Sequence, residues 1–146
     1  MTEKTLRKPE WLRRKIIFPN SENNVHKLIK NYGLNTVCES AKCPNRNECY
    51  GHGTATFLIL GDVCTRNCKF CAIEKEKKLL PPDPKEPELI VELTKKLKLK
   101  HIVITSVTRD DLPDGGASQY IEIIKLLREE QPLVTIEILT PDFQGD

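Results

Sequence analysis

Three short apolar runs, separated by two stretches of helical periodicity, constrain this chain more than any other feature. Thr56-Phe57-Leu58-Ile59-Leu60, His101-Ile102-Val103-Ile104-Thr105-Ser106 and Thr135-Ile136-Glu137-Ile138-Leu139 each have the length and composition of one strand. Between them, Ile90, Leu93 and Leu97 share one face of a helix expected from about Pro87 to Lys98. Tyr120, Ile123, Ile124 and Leu127 share one face of a second. Strands alternating with helices imply right-handed crossovers and a parallel sheet. The breaks are supplied by Gly61-Asp62, by Pro81-Pro82-Asp83-Pro84 and by Leu112-Pro113-Asp114-Gly115-Gly116.

Upstream the pattern differs. Val25, Leu28, Ile29 and Tyr32 lie on one face of a short amphipathic helix, with Gly33 where a C-terminal cap belongs. From Cys38 to Gly53 the turn formers Pro44, Asn45, Asn47, Gly51 and Gly53 predict irregular chain. The expected division is therefore residues 1–53 as a cysteine-bearing extension and residues 54–146 as an α/β unit. Three strand units cannot close a barrel, and no helix follows the third strand before Asp146. The expectation is a barrel cut short after its third strand.

Composition narrows the function classes. Of the 146 residues, 38% are hydrophobic and 30% charged, which is the profile of a soluble globular protein. A net charge of +2 builds no strong field for nucleic acid or a membrane surface, and neither is expected as a partner. The basic segment from Lys4 to Lys15 is read as a solvated extension. No apolar run has the length of a membrane helix, and the first residues lack a secretory core, so a cytoplasmic, reducing location is expected. There, cysteines serve as metal ligands or reactive thiols rather than as disulfides.

The six cysteines form two trios. Cys64, Cys68 and Cys71 stand as C-x3-C-x2-C directly after the first strand, at the edge where parallel α/β folds place their sites. Three thiolates can hold three irons of a [4Fe–4S] cube and leave the fourth iron open to a small chelating molecule. Cys38, Cys43 and Cys49 form the second trio. Lys42 and Arg46 lie among the upstream thiols, Arg66 and Lys69 among the others, and such cations favour thiolate. On the residues alone an iron–sulfur reading leads. Zinc, which prefers four ligands in C-x2-C pairs, and a disulfide framework remain behind it.

The loop Cys64–Cys71, with aromatic Phe70 before its last cysteine, resembles the signature of radical S-adenosylmethionine enzymes. The C-x4-C-x5-C spacing of the upstream trio is similar to the auxiliary cluster motif of the lipoyl synthase family. So are Thr36 to Asn45, Gly53 to Phe57, Leu60-Gly61-Asp62, Thr105 to Ala117 and Pro141 to Asp146. The resemblance implies a partial (β/α)6 barrel in a chain about twice as long. It also implies two [4Fe–4S] clusters, with S-adenosylmethionine chelated at the open iron of the Cys64, Cys68, Cys71 cluster. Phe70, Thr105 and Ser106 would contact S-adenosylmethionine. The implied reaction is radical insertion of two sulfurs at the sixth and eighth carbons of a protein-bound octanoyl chain. The auxiliary cluster would supply the sulfur, and its serine ligand has no counterpart in this sequence. Implied partners are an octanoylated carrier domain (a glycine cleavage H protein or a 2-oxoacid dehydrogenase E2 component) and a ferredoxin- or flavodoxin-type electron donor. The alternatives are another radical enzyme that inserts sulfur or methylthio groups, and a two-cluster electron carrier without catalysis.

Other residues carry less. Asp110 and Asp111 are candidates to bind ribose or to position Arg109, although polar loop acids are usually solvated. His26, His52 and His101 have no ligand spacing and are read as structural. Trp11 is expected to anchor the N-terminal arm.

Overall fold

In a computed structural model, residues 9–12, 20–51, 54–76 and 79–145 are described. The first regular element of length is α1 (Asn20–Asn31), which buries Val25 and Ile29. It ends in a Schellman turn: Leu34 N–H donates to Ile29 C=O (3.2 Å) and Gly33 N–H to Lys30 C=O (3.0 Å). Gly33 has φ +64°, a conformation that costs glycine nothing, so the expected cap is present. Next come β1 (Asn35–Thr36), α2 (Val37–Ser40) and α3 (Arg46–Gly51). The segment expected to be irregular therefore holds two short helices. At four and six residues they are too short to show a 3.6-residue period; Pro44 and Asn45 mark the break between them, while Asn47 and Gly51 lie inside α3.

The α/β unit follows the expected order: β2 (Thr56–Ile59), α4 (Glu86–Lys96), β5 (His101–Ser106), α5 (Ala117–Glu130) and β6 (Thr135–Leu139). Between β2 and α4 lie two further strands, β3 (Val63–Cys64) and β4 (Glu74–Lys75), which pair in parallel. The main sheet runs β1-β2-β5-β6; β2, β5 and β6 are parallel, and β1 adds an antiparallel edge that the sequence did not announce. The fold is thus mixed α/β with a parallel sheet. Among the described residues no helix is long and apolar enough to cross a membrane.

Register decides which face does what. Phe57, Ile59, Ile102 and Ile104 share one face and are fully buried in a core with Ile90 and Leu93 of α4 and Ile123 and Leu127 of α5. Each such side chain contributes about 1.5–3 kcal/mol by leaving water. The opposite face carries His101, Val103, Thr105, Glu137 and Leu139, and His101, Glu137 and Leu139 are exposed. Leu58 on that face is buried nonetheless. At the β6 edge Leu139 is 52% exposed. Trp11, expected as an anchor, sits in a single 3-10 turn (Glu10–Leu12) and is 81% exposed, so little packs against it.

Candidate metal centre

Strand β2 ends one residue earlier than its apolar run, because Leu60 adopts φ +68° and turns the chain with Gly61 into β3. Buried charges hold that turn. Leu60 N–H donates to the Glu86 carboxylate (3.0 Å), and Leu60 C=O accepts from the Arg109 guanidinium (3.2 Å). Arg109 is 2% exposed; it also forks onto Asp111 (2.8 and 2.9 Å) and donates to Leu80 C=O. Asp111 therefore positions Arg109, and the ion pair lowers its pKa. Burial raises the Glu86 pKa, only partly opposed by its bonds from Leu60 and Gln119.

From this turn the chain enters the Cys64–Cys71 loop. Cys64 lies in β3 and the loop closes at β4, where Cys64 is opposite Lys75 and Glu76 N–H donates to Cys64 C=O (3.2 Å). Inside, Arg66 N–H points at Cys64 Sγ (3.4 Å), Cys71 N–H donates to Cys68 C=O (3.1 Å), and Lys75 Nζ donates to Cys71 C=O (2.7 Å). Cys68 is exposed and Phe70 is 94% exposed. The loop is tied to its neighbours through Thr65, whose N–H and Oγ1 both donate to Thr108 C=O (3.1 and 3.0 Å). Arg66, one of the cations expected to favour thiolate, commits three guanidinium N–H groups to Asp110 and Asp142. Those hydrogen bonds raise its pKa and hold Asp142 down at about 2.

The upstream trio is built from backbone. Cys43 N–H donates to Cys38 C=O (3.2 Å), and Lys42 N–H to Glu39 C=O (2.9 Å), a Schellman turn ending α2. Lys42 occupies its left-handed position at φ +50° without being glycine. Arg46 N–H then donates to Cys43 C=O (3.3 Å) and begins α3, which carries Cys49. Burial raises the Cys49 pKa, and the neighbouring Cys38, Cys43 and Glu48 raise it further. Tyr50, 1% exposed, locks α3 to β1 through a bond between its hydroxyl and Thr36 Oγ1 (2.9 Å). Burial pushes the Tyr50 pKa up to about 12.

Thr105 and Ser106 cannot serve alike, because neighbours on a strand point to opposite faces. Thr105 shares the more open face with Leu58 and Leu139, and its Oγ1 donates to Leu139 C=O (2.8 Å). Ser106 is on the helix-covered face with Ile59. Its Oγ is buried without a hydrogen-bond partner among the described residues. Tyr120 of α5 reaches Leu139 C=O (3.1 Å) from there. His26 pairs with Glu39 and His101 with Glu137; His52 lies outside the described residues.

All six cysteines are free. No group of three or more His, Cys, Asp or Glu side chains among the described residues is gathered tightly enough for a single metal ion. A cube takes each thiolate at a different corner iron, so its ligands stand farther apart than those of one ion. The donor set fits the cube rather than zinc: thiols in threes, one with a backbone N–H aimed at sulfur, the Cys64 trio following the C-terminal end of β2 and the Cys38 trio lying toward its N-terminal end. Sequence reasoning named Arg109 only as a residue that Asp110 or Asp111 would position, and missed Glu86, Tyr50 and the clamp on Arg66. Only the run Arg109-Asp110-Asp111 gave a signal, a cation flanked by acids in a turn.

Comparison with known proteins adds the lineage. Residues 58–146 match the radical SAM superfamily, a span that includes the Cys64–Cys71 loop. The chain is 52% identical over 140 residues to the lipoyl synthase of Chlorobaculum parvum, covering 96% of this chain and 48% of that protein. It is 53% identical over 142 residues to the lipoyl synthase of Nitratidesulfovibrio vulgaris, covering 97% and 47%. For the lipoyl synthase of Caldanaerobacter subterraneus the identity is 51% over 142 residues, covering 97% and 49%. The chain thus spans about half the length of the curated relatives it matches. With well over half of its residues inside the family match, this chain belongs to the radical SAM superfamily of enzymes.

Proposed function

We propose that this chain is the cluster-bearing N-terminal half of a lipoyl synthase, which inserts two sulfurs into a protein-bound octanoyl group. In this reading residues 54–146 form the first part of a partial barrel and residues 1–53 an extension with the auxiliary cluster. The observation that carries it is the C-x3-C-x2-C loop leaving the C-terminal end of β2, within a chain about half identical to those relatives. Cys64, Cys68 and Cys71 would hold the [4Fe–4S] cluster that binds S-adenosylmethionine, and Cys38, Cys43 and Cys49 the auxiliary cluster. When bound, cluster and S-adenosylmethionine supply a radical able to abstract hydrogen from unactivated carbon, which no acid or base side chain can do.

The chain's own residues have a narrower task. The backbone N–H of Arg66 is aimed at Cys64 Sγ, and the Leu60 turn, held by Glu86 and Arg109, fixes where the loop leaves the sheet. Exposed Phe70 provides an aromatic surface for the adenine of S-adenosylmethionine. Of the two strand-end hydroxyls, Thr105 is the better placed for a contact on the open face; Ser106 belongs to the covered one. The substrate would be an octanoylated carrier domain and the electron donor a ferredoxin or flavodoxin.

The test is anaerobic reconstitution with iron and sulfide. Replacing Cys64, Cys68 and Cys71 together with Ala should remove one cluster's worth of iron and sulfide and abolish the electron paramagnetic resonance change caused by S-adenosylmethionine. Zinc bound without sulfide would overturn the reading.

A further inference from the structure

Two loops meet the cysteine loop at the C-terminal end of the sheet, and one side chain ties both of them to it. Arg66 lies between Cys64 and Cys68. Its Nε and Nη2 fork onto the two oxygens of Asp110 (2.8 Å each), in the loop after β5. Its Nη1 donates to Asp142 Oδ2 (2.7 Å), in the turn after β6. Both acceptors are held from a second side. Asp110 Oδ2 also accepts from Thr65 Oγ1 (3.1 Å), and Asp110 N–H donates back to that oxygen (3.2 Å). Asp142 Oδ1 accepts Gln144 N–H (3.0 Å). That turn is held in a costly form: Phe143 and Gln144, neither of them glycine, have φ +44° and +59°. Phe143 is braced edge-on against the Tyr120 ring at 6.4 Å.

A single lysine could not make this arrangement, because it needs three N–H donors in one plane aimed at two carboxylates. A general need for positive charge near thiolates does not explain it either, since two carboxylates cancel the charge of the guanidinium. What the geometry supplies is direction. The β3–β4 ribbon and the Thr65 bonds to Thr108 hold the loop at its base; the fork onto Asp110 and the third bond onto Asp142 hold it against the ends of both β5 and β6.

We propose that Arg66 is a positioning residue that sets the angle of the Cys64–Cys71 loop against the ends of β5 and β6. It thereby places the cluster's open iron where S-adenosylmethionine can bind both iron and protein. The proposal rests on the reading that Cys64, Cys68 and Cys71 carry the cluster.

The experiment compares the chain with its Arg66→Lys, Arg66→Gln and Asp142→Asn variants after anaerobic reconstitution. It records iron per chain, melting temperature and the S-adenosylmethionine concentration that half-completes the change in the reduced cluster's electron paramagnetic resonance signal. Equal iron in all four, with that concentration raised about tenfold in each variant, is the expected result. Lysine should rescue no better than glutamine, because it keeps the charge and loses the fork. Wild-type behaviour of Arg66→Lys would overturn the proposal, since charge alone would then suffice. So would a loss of iron parallel to the loss of response, which would make Arg66 a determinant of ligation. If the wild-type chain loads a cluster but shows no response, the cluster reading itself fails and takes the proposal with it. A response in wild type that persists unchanged in the variants sinks the clamp alone.

Discussion

Replacing Gly116 with Ala probes the joint on which the cysteine loop hangs. Gly116 precedes α5 at φ +92°, and a Cβ built there would stand 2.2 Å from Leu60 Cδ1. Two costs add. An alanine forced into the left-handed region loses about 1–2 kcal/mol. Relieving a 2.2 Å contact requires Leu60 to move, yet Leu60 is buried, itself at φ +68°, and held at both backbone polar atoms by Glu86 and Arg109. Overpacking of that kind costs about 1–3 kcal/mol. The total, about 2–5 kcal/mol, is a large part of the 5–15 kcal/mol that domains usually have. It should lower the melting temperature by roughly 6–15 °C, followed by circular dichroism. Adding Leu60→Ala should return the overpacking part and leave the backbone part, so the two changes should be non-additive. A melting temperature within about 2 °C of wild type, or strict additivity, would refute the reasoning.

Three further outcomes are expected. Burial raises the Glu86 pKa above its ordinary 4.5, so the stability linked to its proton is present below 4.5 and lost as pH rises through the raised value; Glu86→Gln should therefore gain on wild type with rising pH in urea titrations. Asp114, held at about 2 by accepting from Ser118 and Gly116, contributes stability above its ordinary 3.8 that is lost as pH falls toward 2; Asp114→Asn should flatten that acid limb. Tyr50→Phe leaves buried Thr36 Oγ1 without its partner and should cost about 1–3 kcal/mol, whereas the Thr36→Val/Tyr50→Phe pair should be nearly neutral. Fluorescence-monitored denaturation of the four proteins closes that cycle.

The elements legible in the sequence are those whose pattern exceeds their noise. Strands β2, β5 and β6 are apolar runs bounded by breakers, and α1, α4 and α5 repeat an apolar face over at least three turns. The elements that escaped are short and polar. Strand β1 is Asn35-Thr36, two residues in which the strand preference of Thr36 is too short a signal to read; its Thr36 is buried against Tyr50. Strands β3 and β4 are two residues each, made by the loop's closure rather than by their own preferences. Helices α2 and α3 were hidden by the turn formers between and within them, Pro44, Asn45, Asn47 and Gly51. The cysteines were legible as two trios because spacing is a property of sequence. That Arg66 serves Asp110 and Asp142 was not, because those partners lie 44 and 76 residues away.

The β3–β4 ribbon separates two properties that cluster proteins usually entangle. Cys64 is itself in the ribbon and Cys68 and Cys71 lie within the loop it closes, Val63 pairing with Glu74 and Cys64 with Lys75. Closing so short a ring costs little chain entropy and recruits no distant segment. On the proposed assignment of Cys64, Cys68 and Cys71, capture of iron is a local matter, decided within one stretch of the chain. Aim is not: Thr108, Asp110 and Asp142 all lie outside the ring. A peptide spanning the ribbon and loop should take up a cluster and hold it in no fixed direction. Substitutions outside the ring can then retune how the bound cluster is presented without disturbing the ligands that hold it.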